Sequence, residues 1–138
     1  MRGEHLGDRV TGTVYTETVV HLAPEAFAKD VPYQVVIVTL EDGTRIYHAG
    51  DTAAHADMAL IAELYAPEIA LLPIGDLYTM SPREAAVAAR MLKSKFIVPA
   101  HYGTSPALTG TPDALRSELK AQQVDAEVIA LRPGETLT

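Results

Sequence analysis

The feature that most restricts the fold of this chain is a change of pattern near residue 50. Before it, residues 10–20 (VTGTVYTETVV) and 34–40 (QVVIVTL) are rich in β-branched side chains, which fit a pleated, half-buried surface. Glu41-Asp42-Gly43-Thr44 carries the Asp-Gly hairpin signal. Residues 45–49 (RIYHA) then read as the returning strand. After it, strands and helices alternate. Residues 55–65 (HADMALIAELY) place Met58, Ile61, Leu64 and Tyr65 at helical spacing. Residues 68–72 (EIALL) form a short apolar strand stopped by Pro73. Ser81-Pro82-Arg83-Glu84 opens a helix to about Lys93, with serine at the cap, proline in the first turn and glutamate three residues on. Residues 95–98 (KFIV) predict a buried strand, and Thr111-Pro112-Asp113 caps a helix to about Gln122. Residues 126–131 predict another strand, and Arg132-Pro133-Gly134-Glu135 turns into a last short one. Hairpins followed by such alternation imply an α/β (α+β) fold, with a sheet covered by helices on at least one face.

Composition removes several function classes. Net charge is −7, which argues against a general nucleic-acid binder, since that would need a basic face to meet the phosphates. The chain has no cysteine, which excludes disulfides and thiolate metal sites. Any metal must be held by His, Asp or Glu, a donor set that suits zinc, manganese or iron. No apolar run reaches the roughly 20 residues of a membrane span, and residues 1–8 (MRGEHLGD) do not resemble a signal peptide. A cytoplasmic protein without a membrane partner is expected. Hydrophobic residues make up 48% of the chain, enough for one packed domain over 1–138.

Chemistry-bearing residues gather at predicted strand ends. His21 ends the first strand, Gly50-Asp51-Thr52 follows the third, Gly75-Asp76 follows EIALLP, and His101 follows KFIVPA. Side chains converging from several strand ends can surround a metal ion. Plainer readings stand beside this one. Asp51 could cap the helix that follows. His101 could be a core histidine bonded to a carbonyl. His48 could pack on its strand or orient a ligand. Asp76 could face the site or close an Asx-turn. Thr79, with Tyr78 and Met80, could line a substrate pocket. Tyr102 could bond a substrate or pack under its loop. His55 is expected exposed, in the first turn of its helix.

The segments YHAGDT (47–52), ALLPIGD (70–76), YTM (78–80), PAHYGT (99–104), LTG (108–110) and RPGET (132–136), taken in this order, resemble the metallo-β-lactamase fold. Within it they are similar to metal-dependent hydrolases of the lactonase-like branch, related to ascorbate-6-phosphate lactonase. The resemblance runs from about Val35 onward. It implies an αββα sandwich and a divalent cation, zinc or alternatively manganese, with one or two ions in the complete fold. It implies that Asp51 is the aspartate shared by two metals, His101 the last histidine ligand and His21 the middle one. The implied reaction is hydrolysis of an ester, lactone or phosphoester in a small-molecule substrate by metal-activated water, with Asp51 and His101 catalytic.

The family's H-x-H-x-D-H motif has no counterpart in these residues. Glu4-His5 is its only look-alike, and residues 6–20 are too few for a helix, a strand and their turns before His21. The stretch GEHLGD therefore reads as a turn before the first strand. The resemblance then implies the C-terminal portion of the fold, without the N-terminal motif. Two rivals follow. The chain could be a non-catalytic relative that pairs with itself or another chain through an exposed sheet. It could also be a small α/β binding module with no metal.

Overall fold

A computed structural model describes residues 12–20 and 33–136. His5 and His21 lie outside the described residues. Among the described residues six strands form one sheet in the order of the chain: β1 (Gly12–Val20), β2 (Tyr33–Leu40), β3 (Arg45–His48), β4 (Ile69–Pro73), β5 (Phe96–Ala100) and β6 (Glu127–Val128). The first three pair antiparallel, and β3 to β6 pair parallel. The predicted hairpin closes at Asp42-Gly43, where Gly43 takes φ +87° and Thr44 N donates to Asp42 Oδ1 at 2.8 Å. Glycine carries that left-handed conformation without a Cβ penalty.

Helices α1 (Asp57–Tyr65), α2 (Pro82–Leu92) and α3 (Pro112–Ala121) fill the three parallel crossovers. The strands advance in one direction across the sheet, so right-handed crossovers put every helix on the same face. The register shows the consequence. Ile37, Tyr47, Ala70, Ile97 and Val128 are paired in sequence across five strands, and all five are buried. They meet Met58 of α1, the alanines and Leu92 of α2, and Leu115 and Leu119 of α3. Burial of its ring also pushes the Tyr47 phenol above the usual range. The adjacent row, Val38, Ile46, Ile69 and Phe96, points the other way and is only half-buried. That opposite face is apolar and bears no helix among the described residues.

Helix starts follow their local signals. Ser81 Oγ accepts from Glu84 N, and Glu84 Oε2 accepts from Ser81 N at 2.8 Å, so the capping box is complete. The Ser81 amide, then its hydroxyl, hold the Glu84 carboxyl below the usual carboxylate range. Thr111 Oγ1 accepts from Ala114 N at 3.1 Å and caps α3.

Three expectations are corrected. Helix α1 begins at Asp57, with Ala56 at its cap and no side-chain cap bond; Asp51 caps nothing. His55 precedes the helix, and is exposed as expected. Pro73 belongs to β4 as its last residue, because a missing N–H does no harm at a strand terminus. The strand expected over 126–131 shrinks to two residues. Ile129 N still donates to Ile97 O at 2.9 Å. The following rung needs an N–H from Pro99, and proline has none.

Candidate metal centre

The carboxyl ends of the parallel strands lie side by side, and the loops leaving them build the site. From β3 the chain passes through Ala49, whose amide donates to Leu71 O at 3.0 Å, and Gly50 at φ +67°. This places Asp51 in front of the sheet with its side chain 64% exposed. From β5 the chain enters His101, which takes φ +52°. A left-handed conformation is uncommon for a side-chain-bearing residue and persists only where its surroundings enforce it. The neighbouring loop supplies the enforcement. Ile74 N donates to Ala100 O at 3.0 Å, and Gly75 lies directly against His101. A Cβ on Gly75 would stand 2.1 Å from His101 O, so this approach requires glycine.

The result is one close pair. His101 Nε2 lies 3.7 Å from Asp51 Oδ2. That separation is too long for a hydrogen bond. It suits two donors on one ion: bonds of about 2.0–2.2 Å at a tetrahedral angle set donors about 3.4 Å apart. The other imidazole nitrogen, Nδ1, is buried and has no hydrogen-bond partner. The ring therefore presents Nε2 towards Asp51 and turns Nδ1 inward. An imidazole and a carboxylate are the donor types that a borderline cation accepts without cysteine. The two residues thus fit as part of a cation's ligand set. Among the described residues no third His, Asp or Glu joins them, and catalytic zinc commonly takes three protein ligands. His21, the expected third, is outside the described residues.

The remaining expected residues are placed as follows. His48 is exposed on the open face of the sheet, and its Nδ1 accepts from Gly50 N at 3.0 Å. It steadies the turn into Asp51 and is not packed. Asp76 is exposed at φ +68°, and its Oδ1 accepts from Leu77 N at 2.9 Å. That bond reaches the next residue, so the Asx-turn is absent. Thr79 is half-buried, with its hydroxyl oxygen buried and unpaired. Tyr102 packs against the core. A separate cleft of about 390 Å³, lined by Thr13, Thr39, Gly43, Arg45, Leu64 and Tyr65, opens at the start of β3. It lies at the opposite end of that strand from Asp51.

Sequence reasoning named Gly75 and Gly110 only as parts of motifs and gave them no role of their own. A Cβ on Gly110 would stand 1.6 Å from Ile74 O, and Gly110 N approaches Gly75 O at 3.5 Å. The glycines in IGD and LTG were visible as letters, but the backbones they admit are distant in sequence.

The family model described as a beta-lactamase superfamily domain matches residues 5–101. A UPF0173 metal-dependent hydrolase from Herpetosiphon aurantiacus is 53% identical over 102 residues, 74% of this chain and 42% of its own length. A relative of the same description from Roseiflexus castenholzii is 49% identical over equal shares. The chain therefore spans about two fifths of the length of these curated relatives. Among solved structures, Igni18, a metallo hydrolase from Ignicoccus hospitalis, aligns with a TM-score of 0.71 and 37% identity, over 88% of this chain and 51% of that one. With a matched family model over most of its length and neighbours that share its sheet and helices, this chain belongs to the beta-lactamase superfamily and has the metallo-β-lactamase fold.

Proposed function

We propose that this chain carries part of the cation site of a metal-dependent hydrolase acting on an ester, lactone or phosphoester bond. The observation that carries the reading is the 3.7 Å approach of His101 Nε2 to Asp51 Oδ2 at neighbouring strand ends. The relatives' description as metal-dependent hydrolases supports it. In this reading Asp51 and His101 are ligands and His21 is the third. Zinc is the preferred ion and manganese the alternative. When bound, the cation makes water acidic enough to supply the nucleophile near neutral pH and polarises the bond under attack. Asp51 contributes the negative charge that retains the ion. His101 contributes an imidazole nitrogen whose direction is set by the backbone at Gly75. Leu77 and Tyr78, 57% and 76% exposed, stand on the adjacent turn. They offer an apolar rim to the part of a small substrate that does not react. We place the protein in the cytoplasm.

Elemental analysis of protein purified without chelator should find about one or two ions per chain. Added zinc or manganese should raise the melting temperature of chelator-stripped protein, and only the loaded form should cleave an activated aryl ester. A stripped protein whose melting temperature ignores both metals would sink the reading.

The open sheet face favours a second reading, in which the chain is non-catalytic and pairs with a copy of itself. Ile46, Ile69, Leu71, Phe96 and Val98 line that face and are half-buried at best. Apolar surface of this kind is stabilised by being covered. Light scattering should then report twice the chain mass, and Phe96→Asp should return it to one. A monomer at all concentrations would remove this reading.

A further inference from the structure

Two buried side-chain atoms among the described residues lack a hydrogen-bond partner: His101 Nδ1 and Thr79 Oγ1. Buried polar groups are nearly always paired, so two orphans on adjoining loops call for a common explanation. The loops meet at Gly75. A Cβ built there would lie 3.2 Å from His101 Nδ1, so Nδ1 faces the start of the turn that carries Thr79. That turn is closed on itself. Asp76 N donates to Met80 O at 3.0 Å, and Thr79 N donates to Asp76 O at 3.2 Å.

A neutral imidazole carries one proton. For Nε2 to offer its lone pair beside Asp51, that proton must sit on Nδ1. The inward Nδ1–H then needs an acceptor. The carbonyls of Asp76 and Met80 already accept from backbone amides, and Gly75 O is approached by Gly110 N. A hydroxyl oxygen is free at Thr79.

We infer that Thr79 is a positioning residue, whose hydroxyl accepts from His101 Nδ1–H, by a χ1 rotation or across one water, and so holds the tautomer that leaves Nε2 free. This rests on the reading of His101 as a cation ligand. Histidines that bind metals are generally oriented by such a partner on the other nitrogen, and its loss costs about 10- to 100-fold in metal affinity.

The test is made on metal-free protein with ¹⁵N-labelled histidine, where imidazole nitrogen shifts report the tautomer directly. The native protein should show His101 protonated at Nδ1. Thr79→Val, which keeps the shape and removes the hydroxyl, should move it towards Nε2–H. Thr79→Ser should preserve it. Zinc affinity by chelator competition should fall about 10- to 100-fold in Thr79→Val and recover in Thr79→Ser. Backbone amide spectra establish that each variant is folded, with Thr79→Ala as substitute if Thr79→Val is not. A native His101 protonated at Nε2, or a folded Thr79→Val with unchanged tautomer, would overturn the inference. A tautomer that shifts in a protein binding no metal would keep the inference and sink the hydrolase reading, so the two fail separately.

Discussion

Asp51→Ala is expected to weaken zinc binding by more than about 100-fold while leaving the fold intact. The lower bound is the loss seen when only an orienting partner of a ligand is removed; a ligand contributes more. Stability should hardly respond. The Asp51 side chain is 64% exposed, caps no helix and approaches His101 only to 3.7 Å. Surface substitutions of this type usually stay within about 0.5 kcal/mol, and an exposed pair at that distance contributes little. Chelator competition and urea denaturation of metal-free protein therefore separate the roles. A variant that still binds zinc tightly would remove Asp51 from the site. A variant that unfolds would assign it a structural role.

Gly75→Ala should have the opposite profile, with loss of stability and of the site together. The added Cβ would meet His101 O at 2.1 Å and Leu108 Cδ2 at 3.2 Å. The carbonyl is backbone, so relief requires moving the strand end that holds His101. Overpacking of this kind costs about 1–3 kcal/mol, and the His101 displacement should reduce metal affinity as well. Gly103→Ala is the control. It has φ +71° with nothing within 4 Å of a new Cβ, so only conformational strain of about 1 kcal/mol is expected. Denaturant midpoints for the two variants measure the difference. Equal losses would mean that the contact at His101 is relieved without strain.

Legibility in the sequence tracked how local each cause is. Ser81-Pro82-Arg83-Glu84 and Thr111-Pro112-Asp113 located two helix starts because cap donors and acceptors are three residues apart. The Asp42-Gly43 turn was legible for the same reason. The extent of β6 was not, since it depends on a proline in another strand. Asp51 carried two readings in sequence, cap or ligand, and the cap reading fell once α1 began at Asp57. Thr79 was singled out as a pocket residue. That its hydroxyl and the His101 imidazole nitrogen are both buried without a partner became visible only in three dimensions.

By itself the sequence determined the order and kind of the elements and the donor chemistry. Periodicity and capping act over a few residues, and the absence of cysteine rules out thiolate ligands. Tertiary structure alone decided which donors meet. Asp51 and His101 are 50 positions apart in the chain, brought to 3.7 Å by two parallel strand pairings that carry their loops to one edge. It also decided which face of the sheet is covered. Side chains alternate along every strand, but only the common handedness of three crossovers assigns one set to the helices and leaves the other without a helix among the described residues.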